Sequence, residues 1–449
     1  MKKFSLLLTF ALVLALAIPA FAVEDNVKIT GEVKTIFEAA GYGDDSAATI
    51  ELWEDGDAID EDSTTDPDEF PAEKAFYQEI DFAIAGMVNE NITFDLAVDT
   101  LVNNFTTVEG PVVNGAVLGD QGESDDLVLD SALLTLSDEV STLKFGDMAD
   151  FHAETYFIDE EDLEGMELTT AINGSDVRAF VVSENDDFAA TDFYGVTVGR
   201  DLGKVNLTAK VYQARSEGES LTNLAVAADL ALSNSVTVDG EIVSNDASQG
   251  DQGDTLVRAN VNAALTDAVT LNAGVETVGE KFATLSTHDL EEAADYSLYT
   301  VGADYALNTN NTLGATYTMV TPGDTFGVNA EDKNTIELAL DNVNGAFTNT
   351  AAVEFTTSDD YTDGHDVTLI TLGTEYAMNG VTTLSADLVN KSDDNNGAEL
   401  SYTYLKAGLD HAFSETVNWS NEVRFITGET AAEKDGEGST FRTELSVKF

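Results

Sequence analysis

The chain has 449 residues and carries 84 Asp+Glu against 20 Lys+Arg, a formal net charge of -64. Such a field repels nucleic acid and anionic headgroups, which excludes nucleic-acid binding. Cys is absent and Pro is limited to 5 residues, which excludes disulfide staples, thiolate metal sites, Cys nucleophiles and a Pro-rich stalk.

The first predicted element is a targeting segment over residues 1–22. Lys2 and Lys3 give a basic start, Leu6 to Ile18 an apolar run, and Ala20-Phe21-Ala22 an A-x-A cleavage site. Cleavage there makes Val23 the mature N-terminus, and with no Cys following it a lipoprotein anchor is not expected. No later apolar run is long enough for a membrane-spanning helix. The acid itself has two readings. One is a solvated surface in a saline habitat that screens self-repulsion; the other is enrichment of cations near a pore.

From Val27 onward the pattern has period two rather than helical spacing. Val27, Ile29, Gly31, Val33, Thr35 and Phe37 alternate with Lys28, Thr30, Glu32 and Lys34. Ile80, Phe82 and Ile84 alternate with Glu79 and Asp81, and Ile92, Phe94, Leu96 and Val98 with Thr93, Asp95 and Asp99. Farther along, Val257, Ala259 and Val261 and then Ile336, Leu338 and Leu340 repeat the rhythm. Each segment is about ten residues long, the length a tilted strand needs to cross a bilayer.

Short connections carry turn chemistry: Asn89-Glu90-Asn91, Asn173-Gly174, Asp201-Leu202-Gly203, Ser233-Asn234-Ser235, Asn308-Thr309-Asn310 and Asn379-Gly380. Between them lie long acidic stretches: Gly41 to Glu73, Thr106 to Asp126, Phe151 to Gly165, Ser244 to Asp254, Gly279 to Asp295, Pro322 to Lys333 and Thr427 to Gly438. Short turns on one rim and long loops on the other predict an all-β, transmembrane, antiparallel up-and-down barrel. Pairing the segments gives about 22 strands, within a range of about 16 to 22 left by ambiguous phase around Leu127 to Leu136, Val177 to Val182 and Ser401 to Leu409. Alternation starts near Val23 and runs to Phe449, so residues 23–449 are expected to form one barrel domain.

The last segment alternates most clearly. Phe441, Thr443, Leu445, Val447 and Phe449 form one face, and Arg442, Glu444, Ser446 and Lys448 the other. An apolar final strand ending on an aromatic resembles the assembly signal of Gram-negative outer-membrane proteins, with Phe441, Leu445, Val447 and Phe449 in that role. An ordinary amphipathic edge strand would look the same. The unit Tyr305-Ala306-Leu307, Asn308 to Asn311, Thr312-Leu313-Gly314-Ala315-Thr316-Tyr317 resembles a periplasmic hairpin of general diffusion porins. Leu143-Lys144-Phe145-Gly146-Asp147 resembles the porin strand that leads into the pore-constricting third loop. Asp147 stands where an Arg often follows the Gly, which argues against anion-type pore chemistry.

That resemblance implies a water-filled channel for small hydrophilic solutes. It also implies contact with outer-membrane lipid and the assembly machinery, and porin-like homotrimers. A bilayer-facing charge at mid-depth costs roughly 2–4 kcal/mol for Lys or Arg, so strand charges should point inward. On that phase Lys28, Lys34, Lys144, Arg178, Lys210, Arg258, Arg424 and Arg442 form a basic lumen wall. Alternatively they balance neighbouring acids such as Glu32, Asp95, Glu422 and Glu444. The constriction segment would hold Asp147, Asp150, Glu154, Asp159, Glu160, Glu161, Asp162 and Glu164, giving a cation preference. Phe37, Tyr42, Phe76, Tyr77, Phe157, Tyr194, Tyr212, Tyr296, Tyr376, Trp419 and Phe425 are read as interfacial girdles.

No catalytic motif appears, and the 4 His residues fall mostly in acidic stretches, so no enzyme, cofactor or metal site is expected. Asp55-Gly56-Asp57 and Asp393-Asp394-Asn395-Asn396-Gly397 fail the EF-hand spacing and promise at most weak cation association. Two other readings stay open: an envelope barrel of structural or adhesive role with a plugged lumen, and a soluble exported β-sandwich of a halophile.

Overall fold

The computed structural model describes residues 26–57, 72–113, 116–117, 127–159, 161–184, 190–216, 218–248, 253–286, 290–291, 293–326, 331–358, 366–395 and 398–449. The expected targeting segment, residues 1–22, lies outside them.

Period-two segments place an apolar row and a polar row on opposite faces of each strand. The strands are β1 (Val27–Gly41), β2 (Ala75–Asn89), β3 (Ile92–Asn104), β4 (Leu129–Ser137), β5 (Ser141–Phe151), β6 (Glu161–Ile172) and β7 (Ser175–Ser183). Then come β8 (Asp192–Asp201), β9 (Val205–Ser216), β10 (Glu219–Ala231), β11 (Val236–Ala247), β12 (Thr255–Thr266), β13 (Val269–Val278), β14 (Tyr296–Asn308) and β15 (Asn311–Pro322). The last are β16 (Lys333–Asn344), β17 (Phe347–Thr357), β18 (Asp366–Asn379), β19 (Thr382–Asn395), β20 (Ala398–Ser414), β21 (Val417–Glu429) and β22 (Asp435–Lys448). Together they make one 22-stranded sheet, with a two-residue ladder (Val112–Val113 with Ala116–Val117) outside it. Each strand pairs antiparallel with the next, and β1 pairs with β22 from Glu32↔Lys448 to Gly41↔Ser439. The sheet is therefore a closed barrel without edges, at the upper end of the expected range. One closed sheet overturns the β-sandwich reading.

The turns form for local reasons. The side-chain oxygens of Asn89, Asn308 and Asn379 each accept the backbone N–H two residues on, all at 2.9 Å. Asn173 and Gly174 both take positive φ, 53° and 75°, as a tight two-residue hairpin requires. The short turns share one rim with the start of β1 and the end of β22. On the opposite rim not every connection is long: β10 begins at Glu219, close after the end of β9 at Ser216, and β20 begins at Ala398, close after the end of β19 at Asn395. The ends of Phe151 to Gly165, Ser244 to Asp254 and Thr427 to Gly438 are strand, and Asp393–Asp394 belongs to β19. Acidic, polar sequence does not end a strand whose neighbour still offers ladder hydrogen bonds.

Outward positions such as Val226, Ile242, Val301, Leu338, Leu372 and Phe425 are exposed, the apolar belt that a membrane barrel presents to lipid. Among the described residues no helix is long and apolar enough to cross a membrane. One helix was not anticipated: α1 (Ser46–Asp57), between β1 and β2. Asp45 caps it, its Oδ1 accepting the Ala48 N–H at 3.1 Å, and that hydrogen bond holds the Asp45 carboxyl below its ordinary range.

Candidate functional site

The barrel's inner face is set by buried residues on alternate positions, among them Tyr212, Val243, Leu256 and Tyr296. That phase carries Lys28, Lys34, Lys144, Arg178, Lys210, Arg258, Arg424 and Arg442 inward, and also Lys333, Lys391, Lys406 and Lys448, which the sequence reading left out. They do not make a free basic wall. Lys34 meets Glu79 at 3.5 Å, Lys144 meets Glu167 at 3.5 Å, and Arg424 meets Glu422 at 2.5 Å. Arg442 is held between Glu38 at 3.2 Å and Glu444 at 3.1 Å. Acids directly opposite, as Glu79 to Lys34 and Glu167 to Lys144, or two residues along the same strand, as Glu422 to Arg424, neutralise the bases because side chains on one face stand close together.

The connection from β5 to β6 turns into the barrel. Glu154 pairs with Lys210 of β9 and, at 3.2 Å, with Arg258 of β12; Glu241 of β11 meets the same two bases at 2.8 and 2.7 Å. Burial pushes the Glu154 carboxyl above its ordinary range, and nearby Glu241 adds to this, while Lys210 and Arg258 pull the other way. Phe157 stacks on Tyr212 at 5.2 Å, and Arg178 Nη1 donates to the His152 carbonyl at 2.8 Å. The segment 279–286 joins from the β13–β14 connection: Leu285 N–H donates to the Tyr156 carbonyl at 3.1 Å, and Phe282 packs edge-on to Tyr156. An apolar cluster including Phe151, Phe180, Phe193 and Val278 fills this side of the lumen.

The acids expected in that segment are therefore scattered. Glu154 is buried against the inner wall, and the half-buried Asp159 pairs with His152. Asp147 and Glu164 pair opposite each other on the outward phase of Phe145 and Met166, and Asp147 Oδ2 accepts the Ala132 N–H at 2.5 Å. Asp150, Glu161 and Asp162 are exposed on strands near the rim, and Glu160 lies outside the described residues. Strand pairing through Met148↔Leu163 takes Asp147 and Glu164 out of the segment, and the described acids do not gather in one patch.

Helix α1 fills the opposite side. Leu52 and Trp53 are buried against Tyr402, Tyr404 and Ile426 of the inner wall, with Trp53 edge-on to Tyr404 at 5.8 Å. Gly436 and Gly438 of β22 make the seat: a Cβ on either would lie 2.7 Å from Leu52 or Trp53 atoms. Girdle positions divide accordingly. Tyr42, Tyr77, Phe157, Tyr212 and Tyr296 are buried inside the barrel, whereas Phe76, Tyr194, Trp419 and Phe425 are exposed outside. Alternation alone could have separated them, since Tyr212 shares the phase of Lys210.

From β10 to β18 the inner wall toward the short-turn rim carries acids without basic partners. Asp229 stands directly opposite Asp239, and Glu337 opposite Glu354. Asp304, Asp341 and Glu375 continue the inward phase, and none of these seven has a basic partner among the described residues. Beside the closing seam a cleft of 840 Å3 is lined by Lys28, Glu32, Asp81, Thr100 and Lys448. Among the described residues no group of three metal-ligating side chains occurs. His411 shares a hydrogen bond with Thr382 at 2.9 Å, while His288 and His365 lie outside the described residues.

No protein-family model matches the sequence, and no curated protein resembles it significantly. Solved structures do match in fold. A single-site mutant of the ferric enterobactin receptor PfeA of Pseudomonas aeruginosa aligns with a TM-score of 0.59 at 11% identity, over 94% of this chain and 80% of that one. The siderophore receptor PirA of the same organism gives 0.50 at 10% identity, over 94% and 80%. OccK3 (OpdO) of Pseudomonas aeruginosa aligns over 96% and 97% at 11% identity, with a TM-score of 0.41. The fold is that of an outer-membrane barrel.

Proposed function

We propose that the protein is an outer-membrane channel for passive diffusion of small hydrophilic solutes and ions, with a preference for cations. The observation that supports this best is the inner wall near the short-turn rim, where paired carboxylates such as Asp229 and Asp239 stand without basic partners. Fixed acid on a low-dielectric wall raises the local cation concentration and repels anions. Transport needs no covalent step here: Thr, Asn and Asp side chains line the water, and we assign no catalytic role. Export rests on the N-terminal basic–apolar–A-x-A pattern, and insertion on the apolar final strand.

Reversal potentials of the refolded protein in a salt gradient test the reading. Cation selectivity should be moderate, and it should weaken at high salt as screening shortens the field. Replacing Asp229, Asp239, Asp304 and Asp341 by Asn should move the reversal potential toward zero. An anion-selective wild type, or no conductance at all, would count against the proposal. The second case favours another reading, uptake of a bulky ligand through a gated barrel. Barrels of 22 strands in outer-membrane transporters have plugged lumens, and PfeA, which shares the fold, is by name a ferric enterobactin receptor.

A further inference from the structure

Asn223 of β10 points inward and is 0% exposed, yet neither its amide nitrogen nor its oxygen has a protein hydrogen-bond partner. Its cross-strand neighbours show what covers it. On one side Tyr212 lies under Phe157, from segment 152–159. On the other, Asn245 donates to the Ala283 carbonyl at 2.6 Å, in segment 279–286. The Tyr156 hydroxyl, at the junction of the two segments, is likewise buried without a partner. The segments are joined to each other through Leu285 and Tyr156, so they move as a unit or not at all.

We propose that segments 152–159 and 279–286 form one lid over the inner wall, and that the buried carboxamide of Asn223 keeps this lid openable. Closing the lid strips water from a group with two donors and an acceptor and returns it no bond, which biases the balance toward opening. With the lid lifted, Asn223 faces lumen water and the bias is relieved. The aromatic and Glu154 contacts hold the closed form, and Asn223 limits how firmly.

The chain has no Cys, so a single introduced thiol reports on lid position. Ala225→Cys, one inward position along β10 and 5% exposed, is covered when the lid is closed. Asn206→Cys, on the exposed inward side of β9, is the open control. In the folded barrel a small neutral thiol reagent should label Ala225→Cys at least about tenfold more slowly than Asn206→Cys. Adding Asn223→Leu should slow Ala225→Cys about tenfold further while leaving the control rate unchanged. Asn223→Ala, which deletes the amide without added bulk, should shift the rate the same way. Labelling of Ala225→Cys as fast as the control would overturn the lid. Unchanged labelling in both Asn223 variants would overturn the role of the carboxamide, as expected if ordered water satisfies it. Neither readout depends on whether the barrel conducts.

Discussion

Replacing Gly436 and Gly438 by Ala tests whether helix α1 is held by the wall of β22. An added methyl on Gly436 would stand 2.7 Å from Leu52 Cδ1, and one on Gly438 2.7 Å from both Thr49 Cγ2 and Trp53 Nε1. Overpacking of this kind costs about 1–3 kcal/mol per site, so the pair costs about 2–6 kcal/mol. Opposing it is the burial of Ile50, Leu52 and Trp53, roughly 1.5–3 kcal/mol each before the entropy of ordering the helix. One Ala should weaken docking yet leave the helix mostly seated, because about 2 kcal/mol is a thirtyfold change in the docking constant. Both together should unseat it. The sequence has 2 Trp, and Trp419 lies exposed on the outer face, so in a Trp419→Phe background the emission belongs to Trp53. The double variant should show red-shifted emission, quenching by an aqueous quencher, and higher single-channel conductance. Unchanged emission and quenching would refute the seat, and a red shift without any change in conductance would show that α1 does not restrict the lumen.

Other consequences concern closure and the inward loop. Phe449 exchanges both backbone hydrogen bonds with Gly31, at 3.1 and 3.0 Å, and its ring occupies the space a Gly31 side chain would need. Deleting Phe449, or replacing Leu445 and Val447 by Asp, should abolish the folded band on unboiled gels while signal cleavage proceeds; wild-type levels would show that the seam does not need them. Glu154→Ala leaves the bases at Lys210 and Arg258 with Glu241 alone and should lower stability by about 3 kcal/mol in denaturant titration, whereas Glu154→Gln, which keeps a hydrogen-bonding oxygen, should lose clearly less. Equal losses would contradict this account. Because burial raises the Glu154 carboxyl in the docked loop, docking takes up protons. It is strongest below the ordinary glutamate range and weakens as pH rises through the raised value. Conductance should therefore increase as pH rises above the ordinary glutamate range; a decrease would reverse the sign.

Strand number and closure were legible because they follow from period-two alternation and Asn-rich turns, both local signals. Helix α1 was missed although Asp45 precedes Ser-Ala-Ala-Thr-Ile-Glu-Leu-Trp, a capped apolar stripe hidden in a stretch read only for its acid. Inward placement of Lys210 and Arg258 follows from phase, but their partner Glu154 lies 56 residues from Lys210. No local pattern foretells such a contact. Asp147 and Glu164 were grouped with the loop acids because composition does not show which of two faces a strand residue takes when its neighbours are also charged. Gly436 and Gly438 read as loop residues, and their use as a seat appears only when the helix is present.

The distribution of ion pairs inside the barrel follows the distribution of water. A barrel of this many strands has a wide lumen, and here α1 and the two inward segments fill its outer part. Where they fill it, water is excluded and an unpaired charge costs several kcal/mol, so Glu154, Glu241, Lys210 and Arg258 occur as a closed set with two of each sign. Toward the short-turn rim nothing comparable among the described residues packs against Asp229, Asp239, Asp304 and Asp341, and a carboxylate exposed there keeps its hydration. Like charges directly opposite on adjacent strands are tolerable only in a wet and screened setting. The proposed cation preference therefore rests on the acids of β10 to β18 toward that rim, which have no basic partner among the described residues. It does not rest on the set around Glu154, where two acids and two bases balance.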